Sequence, residues 1–161
     1  MARFIRGGVL RLRLSSREEQ FRLAALEIVG LGPGFTPSGD DMLGGFLATY
    51  NALARTTGHI PILLDFASLR MKTTWTSAKL LDYMQRLILD EQMLRMIESA
   101  ARAHENEWIL ALESLLPRGH ASGIDISVGA ILALSLIRDI TFETKDTETI
   151  VDALGFSLSS V

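Results

Sequence analysis

The sequence predicts a mainly α protein, a compact multi-helix domain with a short N-terminal strand or hairpin and two glycine-rich loops that lead into helix N-termini. Apolar residues recur at helical spacing through most of the 161 residues, and glycine and proline cluster between those stretches. At this length one domain with a real core is expected, and no linker divides residues 1–161.

The helices can be placed in order along the chain. Residues 3–14 alternate apolar and basic around two glycines, which is typical of a strand or short hairpin. A capping box, Ser16 with Glu19, precedes the first helix, and Gly30 ends it. The remaining helices are assigned from apolar spacing and from glycine or proline stops. One starts after Ser38 and runs to about Thr57, three lie within 76–116, one spans 123–138 and one follows 146, with a connector at 59–72.

Composition excludes several classes of protein. A formal net charge of -3, with scattered basic residues, argues against a nucleic-acid partner. The chain has no cysteine, so disulfides and thiolate metal sites are excluded. The longest apolar stretches run to about ten residues, too short to cross a bilayer, and no signal peptide is visible, so a cytoplasmic protein without a membrane partner is expected. An apolar fraction of 48% favours a large core, and a homo-oligomer is expected.

Two glycine-rich stretches share a pattern. They are GLGPGFTPSGDDMLGG at 30–45 and GHASGIDISVG at 119–129. Both contain S-G-x-D-x-x-x-G, at 38–45 and at 122–129, so the pattern repeats 84 positions apart. One interpretation is capping, in which each serine accepts from the N–H three residues on and each aspartate adds favourable charge at the helix start.

Capping leaves the internal glycines unexplained. Gly44, Gly45 and Gly129 lie inside predicted helices, where each glycine costs about 1 kcal/mol relative to alanine. Spacings of three and four put one glycine of each repeat on the same helix face as its serine and aspartate. The pattern therefore predicts two helices that cross near their glycines, with both N-termini opening into one pocket.

Such a pocket would bind a small anion, since free N–H groups and positive dipole ends at the helix starts attract negative charge. Nearby carboxylates oppose that binding, and they are Asp40, Asp41 and Asp125. They either turn away to cap the helices or hold a metal, for which Mg²⁺ is the candidate, although the sequence requires no cofactor. Cations that could neutralise them are Arg118, protonated His120, Arg70 and Lys72.

Two further sets of side chains are candidates. His120 stands in the loop two residues before the second serine, where it could polarise a substrate carbonyl or could instead be a structural histidine. The stretch TTWTSAKLL at 73–81 offers the hydroxyls of Thr74 and Ser77 ahead of another helix. The alternative for Thr74 is an N-cap.

Three motifs, GLGPGFTPSGDDMLGG, TTWTSAKLL and RGHASGID, resemble a bacterial family known as domain-of-unknown-function family 2877. Its pattern is close to LGPGLTPSGDD, then TTxxSxxLL, then GHxSGxD, and the resemblance covers about residues 22–137. Members include the AllH-type subunit of oxamate carbamoyltransferase. The resemblance implies an enzyme that converts oxalurate and phosphate to oxamate and carbamoyl phosphate, and partners that include an FdrA-like subunit and a third protein.

The resemblance also implies roles for the motif residues. His120 would polarise the carbamoyl oxygen or move a proton, and Asp41 and Asp125 would orient these groups or hold a metal. The groups implied to bind phosphate, carbamoyl phosphate or an oxalurate-like substrate are Gly34, Thr36, Ser38, Gly39, Thr74, Ser77, Ser122 and Gly123.

Family members carry a sizeable portion before the LGPG motif, whereas about thirty residues precede it here. Under the resemblance, this short version is either a truncated paralogue or a chain that relies on a partner for the rest of the site. Two other hypotheses stay open: a non-catalytic assembly or binding subunit, and a metal-dependent hydrolase that uses the three aspartates. The separation of the helix starts at Ser38 and Ser122 distinguishes a shared pocket from plain capping.

Overall fold

The computed structural model describes residues 18–57, 59–102, 105–119 and 121–143. This part of the chain contains seven helices and no strand, so the mainly α prediction is confirmed. None of these helices is both long and apolar enough to cross a membrane. The helices are α1 Glu18–Ile28, α2 Ser38–Thr57, α3 Phe66–Arg70, α4 Trp75–Gln85, α5 Glu91–Ala101, α6 Glu105–Leu115 and α7 Ser122–Glu143.

Most of the predicted boundaries agree with these helices. The helix predicted to start after Ser38 and to end near Thr57 is α2, which begins one residue earlier, and the predicted three pieces within 76–116 are α4, α5 and α6. The connector at 59–72 is corrected, because it contains α3. Asp65 caps that helix by accepting from the backbone N–H of Ser68 at 2.9 Å. The predicted strand at 3–14, the Ser16 cap and the helix after 146 lie outside the described residues.

Helix α2 runs through the centre of the molecule. It packs most extensively against α7, and it also contacts α1, α4 and α5. Its apolar residues Leu43 and Leu47 are fully buried. The ring of Phe46 stacks on Phe21 of α1 at 5.2 Å and on Tyr50 at 5.8 Å between centroids. Helix α2 is therefore the element around which the core forms.

Two buried amide side chains fix the connector between α2 and α3. Asn51 accepts from Ile62 N at 2.7 Å and donates to Ile62 O at 2.8 Å. Gln85 accepts from Leu64 N at 2.8 Å and donates to Leu64 O at 3.0 Å. Asn51 also donates to the carbonyl of Gln85 at 2.8 Å, which joins α2 to the end of α4. The amides thus satisfy an extended backbone that has no partner strand in the described part of the chain.

Candidate functional site

Helices α2 and α7 cross at their internal glycines. A Cβ atom on Gly45 would lie 2.1 Å from the carbonyl oxygen of Ile126. A Cβ atom on Gly129 would lie 1.9 Å from the carbonyl oxygen of Met42. The two contacts are equivalent, because Gly129 lies 84 positions after Gly45 and Ile126 lies 84 positions after Met42. The predicted close approach of two backbones is therefore confirmed.

The helix starts differ from the predicted capping boxes. Each helix begins at its serine, so the serines are not the N-caps. The residues at the cap positions are Pro37 and Ala121. The carbonyl of Pro37 accepts from the N–H of Asp41 at 3.1 Å, and the carbonyl of Ala121 accepts from the N–H of Asp125 at 3.0 Å. The serine-capping interpretation is wrong, because each helix begins one residue earlier than capping by its serine would require.

The glycine after each serine packs against the preceding helix. The N–H of Gly39 donates to Leu31 O at 2.8 Å, and the N–H of Gly123 donates to Arg118 O at 2.9 Å. A Cβ atom on either glycine would lie 2.1 or 1.8 Å from the last carbonyl of α1 or α6. These two N–H groups are engaged within the fold, which removes the physical reason for assigning them to a bound anion.

Asp40 joins three segments of the fold. Its side chain is buried, and Oδ1 accepts from Gly30 N at 2.7 Å. Oδ2 accepts from the hydroxyl of Ser77 at 2.6 Å and also from the hydroxyl of Thr73. The carboxylate thereby ties the end of α1 and the start of α4 to the first turn of α2. Because both oxygens already accept hydrogen bonds, Asp40 and Ser77 hold these segments of the fold together.

Thr74 connects α4 to the first glycine loop. It is the N-cap of α4, and its hydroxyl accepts from Ser77 N at 3.1 Å. The same hydroxyl donates to the carbonyl oxygen of Phe35 at 2.9 Å. The N-cap alternative for Thr74 is confirmed. Gly34, next to Phe35, has φ of +106°, so a side chain there would be strained.

Asp41 lies between the two helix starts. The hydroxyls of Thr36 and Ser122, whose oxygens are 3.5 Å apart, lie beside its carboxylate. Burial raises the pKa of Asp41 above its ordinary value of 3.8, the two hydroxyls oppose that rise, and the carboxylates of Asp125 and Asp40 add to it. Asp125 Oδ2 is buried and has no hydrogen-bond partner among the described residues. The starts of α2 and α7 therefore do meet, through Asp41 and Ser122.

A cavity of about 430 Å³ opens beside this contact. Its apolar lining comes mainly from α4 and from the segment between α4 and α5, with Tyr83, Met84 and Leu89 among its residues. Its polar lining carries carboxylates, hydroxyls and one guanidinium, from Thr36, Asp40, Asp41, Ser77, Asp90, Arg118 and Ser122. Arg118 Nη1 forms an ion pair with Asp90 Oδ2. The sequence suggested Arg118 but not Asp90, whose only signal is its position before a helix.

The cavity gathers some of the predicted residues and not others. Thr36 and Ser122 line it, whereas Gly34, Ser38 and Thr74 do not. His120 lies outside the described residues, so its role stays a prediction. The described ranges contain no group of three or more His, Asp or Glu side chains that could hold a metal ion, and magnesium binding by the aspartates stays a prediction.

Comparisons with known proteins give one result. Searches of curated proteins and of solved structures found no match. A family model described as oxamate carbamoyltransferase subunit AllH matches residues 28–134. The matched range contains the first glycine loop, the start of α4 and both helix starts at the cavity. Because it covers more than half of the chain, the protein belongs to the AllH family of oxamate carbamoyltransferase subunits.

Proposed function

We propose that this chain is the substrate-binding subunit of a carbamoyltransferase and that its cavity binds a small anionic carbamoyl or ureido compound such as oxalurate. One observation carries the proposal: the carboxylate of Asp41 and the guanidinium of Arg118 line the same cavity at the junction of α2 and α7. Family membership supports the reaction class, because the matching description is that of an oxamate carbamoyltransferase subunit.

The chemistry of oxalurate fits these two groups. The compound carries ureido N–H donors at one end and a carboxylate at the other. Asp41 would accept hydrogen bonds from the ureido N–H groups, and Arg118 would bind the carboxylate or a phosphate. This arrangement also answers the electrostatic objection to an anion site, because Asp41 would bind donors while the anionic end of the compound would pair with Arg118.

The size of the cavity is consistent with a small reactant pair. Its volume of about 430 Å³ falls within the roughly 300–1,000 Å³ typical of small-molecule sites. In the proposed transfer a phosphate oxygen bonds to the terminal carbamoyl carbon, and the bond from that carbon to the internal nitrogen breaks. The released nitrogen takes up a proton to become the amide of oxamate, and His120 is the candidate donor. Holding both reactants in one cavity would supply the proximity that such a transfer needs.

A binding subunit without activity of its own is the second candidate. Arg118 is the single cation among the described residues that line the cavity, and Asp90 already pairs with it. Transfer between two anions requires more positive charge than one paired arginine supplies. A partner subunit, of the FdrA-like kind or another, would then contribute the remaining groups.

Isothermal titration calorimetry with oxalurate tests the proposal. The unaltered chain should bind, and Asp41→Asn and Arg118→Ala should each weaken binding about tenfold or more, as expected for loss of a hydrogen bond to a charged group. Matched controls are Glu98→Gln and Arg102→Ala, which break an exposed ion pair of 3.9 Å whose side chains are 62% and 68% exposed. The controls should bind normally. Absence of binding by the unaltered chain, or equal affinity in all variants, would contradict the proposal.

A further inference from the structure

We infer that Asp90 sets the charge selectivity of the cavity by neutralising Arg118, so that the free protein discriminates against anionic ligands relative to neutral carbamoyl compounds. The inference rests on the proposed function, in which Arg118 holds the anionic end of the ligand. It concerns a residue that lies outside the three sequence motifs and was not among the predicted site residues.

The two oxygens of Asp90 have different tasks. Oδ1 accepts from the backbone N–H of Met93 at 3.0 Å, which makes Asp90 the N-cap of α5. Asp90 lines the cavity, and its Oδ2 accepts from Nη1 of Arg118. Capping needs only a side-chain oxygen, and asparagine serves as well as aspartate. The negative charge of Asp90 is therefore not required for the helix, and its effect falls on Arg118.

Arg118 has a fixed backbone and an accessible side chain. Its N–H donates to Leu115 O at 3.0 Å, and its carbonyl accepts from Gly123 N at 2.9 Å. Its side chain is 39% exposed and that of Asp90 is 41% exposed. Exposed ion pairs of this kind are weak. An incoming anion can therefore compete with Asp90 for the guanidinium without disturbing the fold.

The other two carboxylates that line the cavity have different neighbours from Arg118. Asp40 accepts from Gly30, Thr73 and Ser77, and the hydroxyls of Ser122 and Thr36 lie beside Asp41. Within the described lining of the cavity, Asp90 is the carboxylate that pairs with Arg118. Removing its charge should raise the affinity for anions and leave the affinity for neutral compounds unchanged.

The test uses Asp90→Asn and a matched control, Asp65→Asn. Asp65 also caps a helix, accepting from Ser68 N at 2.9 Å, but it does not line the cavity. Oxamate, an anion, and oxamide, the corresponding neutral diamide, are titrated into each variant by calorimetry. Asp90→Asn should bind oxamate up to about fivefold more tightly, the gain that an exposed ion pair can supply. Its affinity for oxamide should not change, and Asp65→Asn should bind both compounds like the unaltered chain.

A double-mutant cycle with Arg118→Ala separates competition from simple repulsion. The increase in oxamate affinity caused by Asp90→Asn should be much smaller in the Arg118→Ala background. An equal increase in both backgrounds would overturn the inference. Binding that is lost in Arg118→Ala but unchanged in Asp90→Asn would overturn this inference alone. Failure of every variant to bind either compound would overturn it together with the proposed function.

Discussion

The α-carbon of Gly45 packs directly against the carbonyl oxygen of Ile126, so closely that a Cβ atom would stand 2.1 Å from that oxygen. In the equivalent contact of the repeat, a Cβ atom on Gly129 would stand 1.9 Å from the carbonyl oxygen of Met42. Only glycine permits helices α2 and α7 to approach at this distance. The crossing brings Asp41 of one helix start to Ser122 of the other, and the cavity lies beside them.

The first prediction concerns this crossing. Gly45→Ala should lower the free energy of unfolding by about 3 kcal/mol, the upper range for overpacking, because the obstacle is backbone and cannot move aside. The matched control is Gly44→Ala, whose Cβ would meet the thioether sulfur of Met84 at 2.3 Å. That side chain can rotate away, and alanine regains about 1 kcal/mol of helix propensity. Urea unfolding measures both variants, and equal destabilisation would contradict the account.

The second prediction concerns the carboxylate of Asp40. Asp40→Asn places an N–H₂ group among three donors, from Gly30, Thr73 and Ser77. We expect a loss of about 3 kcal/mol in the free energy of unfolding, because buried donors lose their acceptor. Asp65→Asn, at an exposed cap, should cost well under about 1 kcal/mol. A variant at Asp40 that unfolds at the same urea concentration as the unaltered chain would rule out this structural role.

The third prediction concerns pH. Burial raises the pKa of Asp41 above its ordinary 3.8, so the fold favours the protonated carboxyl. That stabilisation is complete below the unfolded value and is lost as pH rises through the raised folded pKa. Asp41→Asn keeps an uncharged group at every pH. Its free energy of unfolding should exceed that of the unaltered chain near neutral pH, and the difference should shrink in acid.

Urea unfolding of both proteins from about pH 4 to about pH 7 measures this difference. An asparagine variant that is less stable than the unaltered chain near neutral pH would show that the ionised carboxylate is the favoured form. The same variant should bind oxalurate poorly, so a gain in stability with a loss of binding is expected, as is common at functional sites.

The fourth prediction concerns Thr74, which caps α4 and holds the glycine loop through Phe35. Thr74→Val should cost about 1 kcal/mol, typical of a lost N-cap, and should speed amide exchange in residues 30–36. Thr74→Ser retains the hydroxyl and should restore both properties. Normal exchange in the loop of the valine variant would show that Thr74 does not fix it.

The sequence predicts the crossing of α2 and α7 well, because glycines inside long helical patterns have few explanations other than close packing. It predicts the start of α2 to within one residue, since the glycine and proline residues before Ser38 cannot continue a helix. The five-residue helix α3 escapes prediction because its periodic pattern is too short, and only the Asp65 cap specifies it.

The candidate site is harder to predict than the fold. Asp40 and Asp41 are adjacent in sequence, yet Asp40 binds Gly30 and Ser77 while Asp41 reaches Ser122 on another helix. Nothing local distinguishes the two carboxylates, because their partners are set by the packing of distant segments. The same holds for Asp90, whose pairing with Arg118 depends on where α5 and α7 begin.

The most direct measurement of the central claim is a crystal structure of the chain soaked with oxalurate. The account predicts electron density for the compound in the cavity beside the starts of α2 and α7, with its ureido nitrogens at Asp41 and its carboxylate at Arg118. An unchanged cavity at saturating oxalurate, or density bound only elsewhere on the chain, would contradict it.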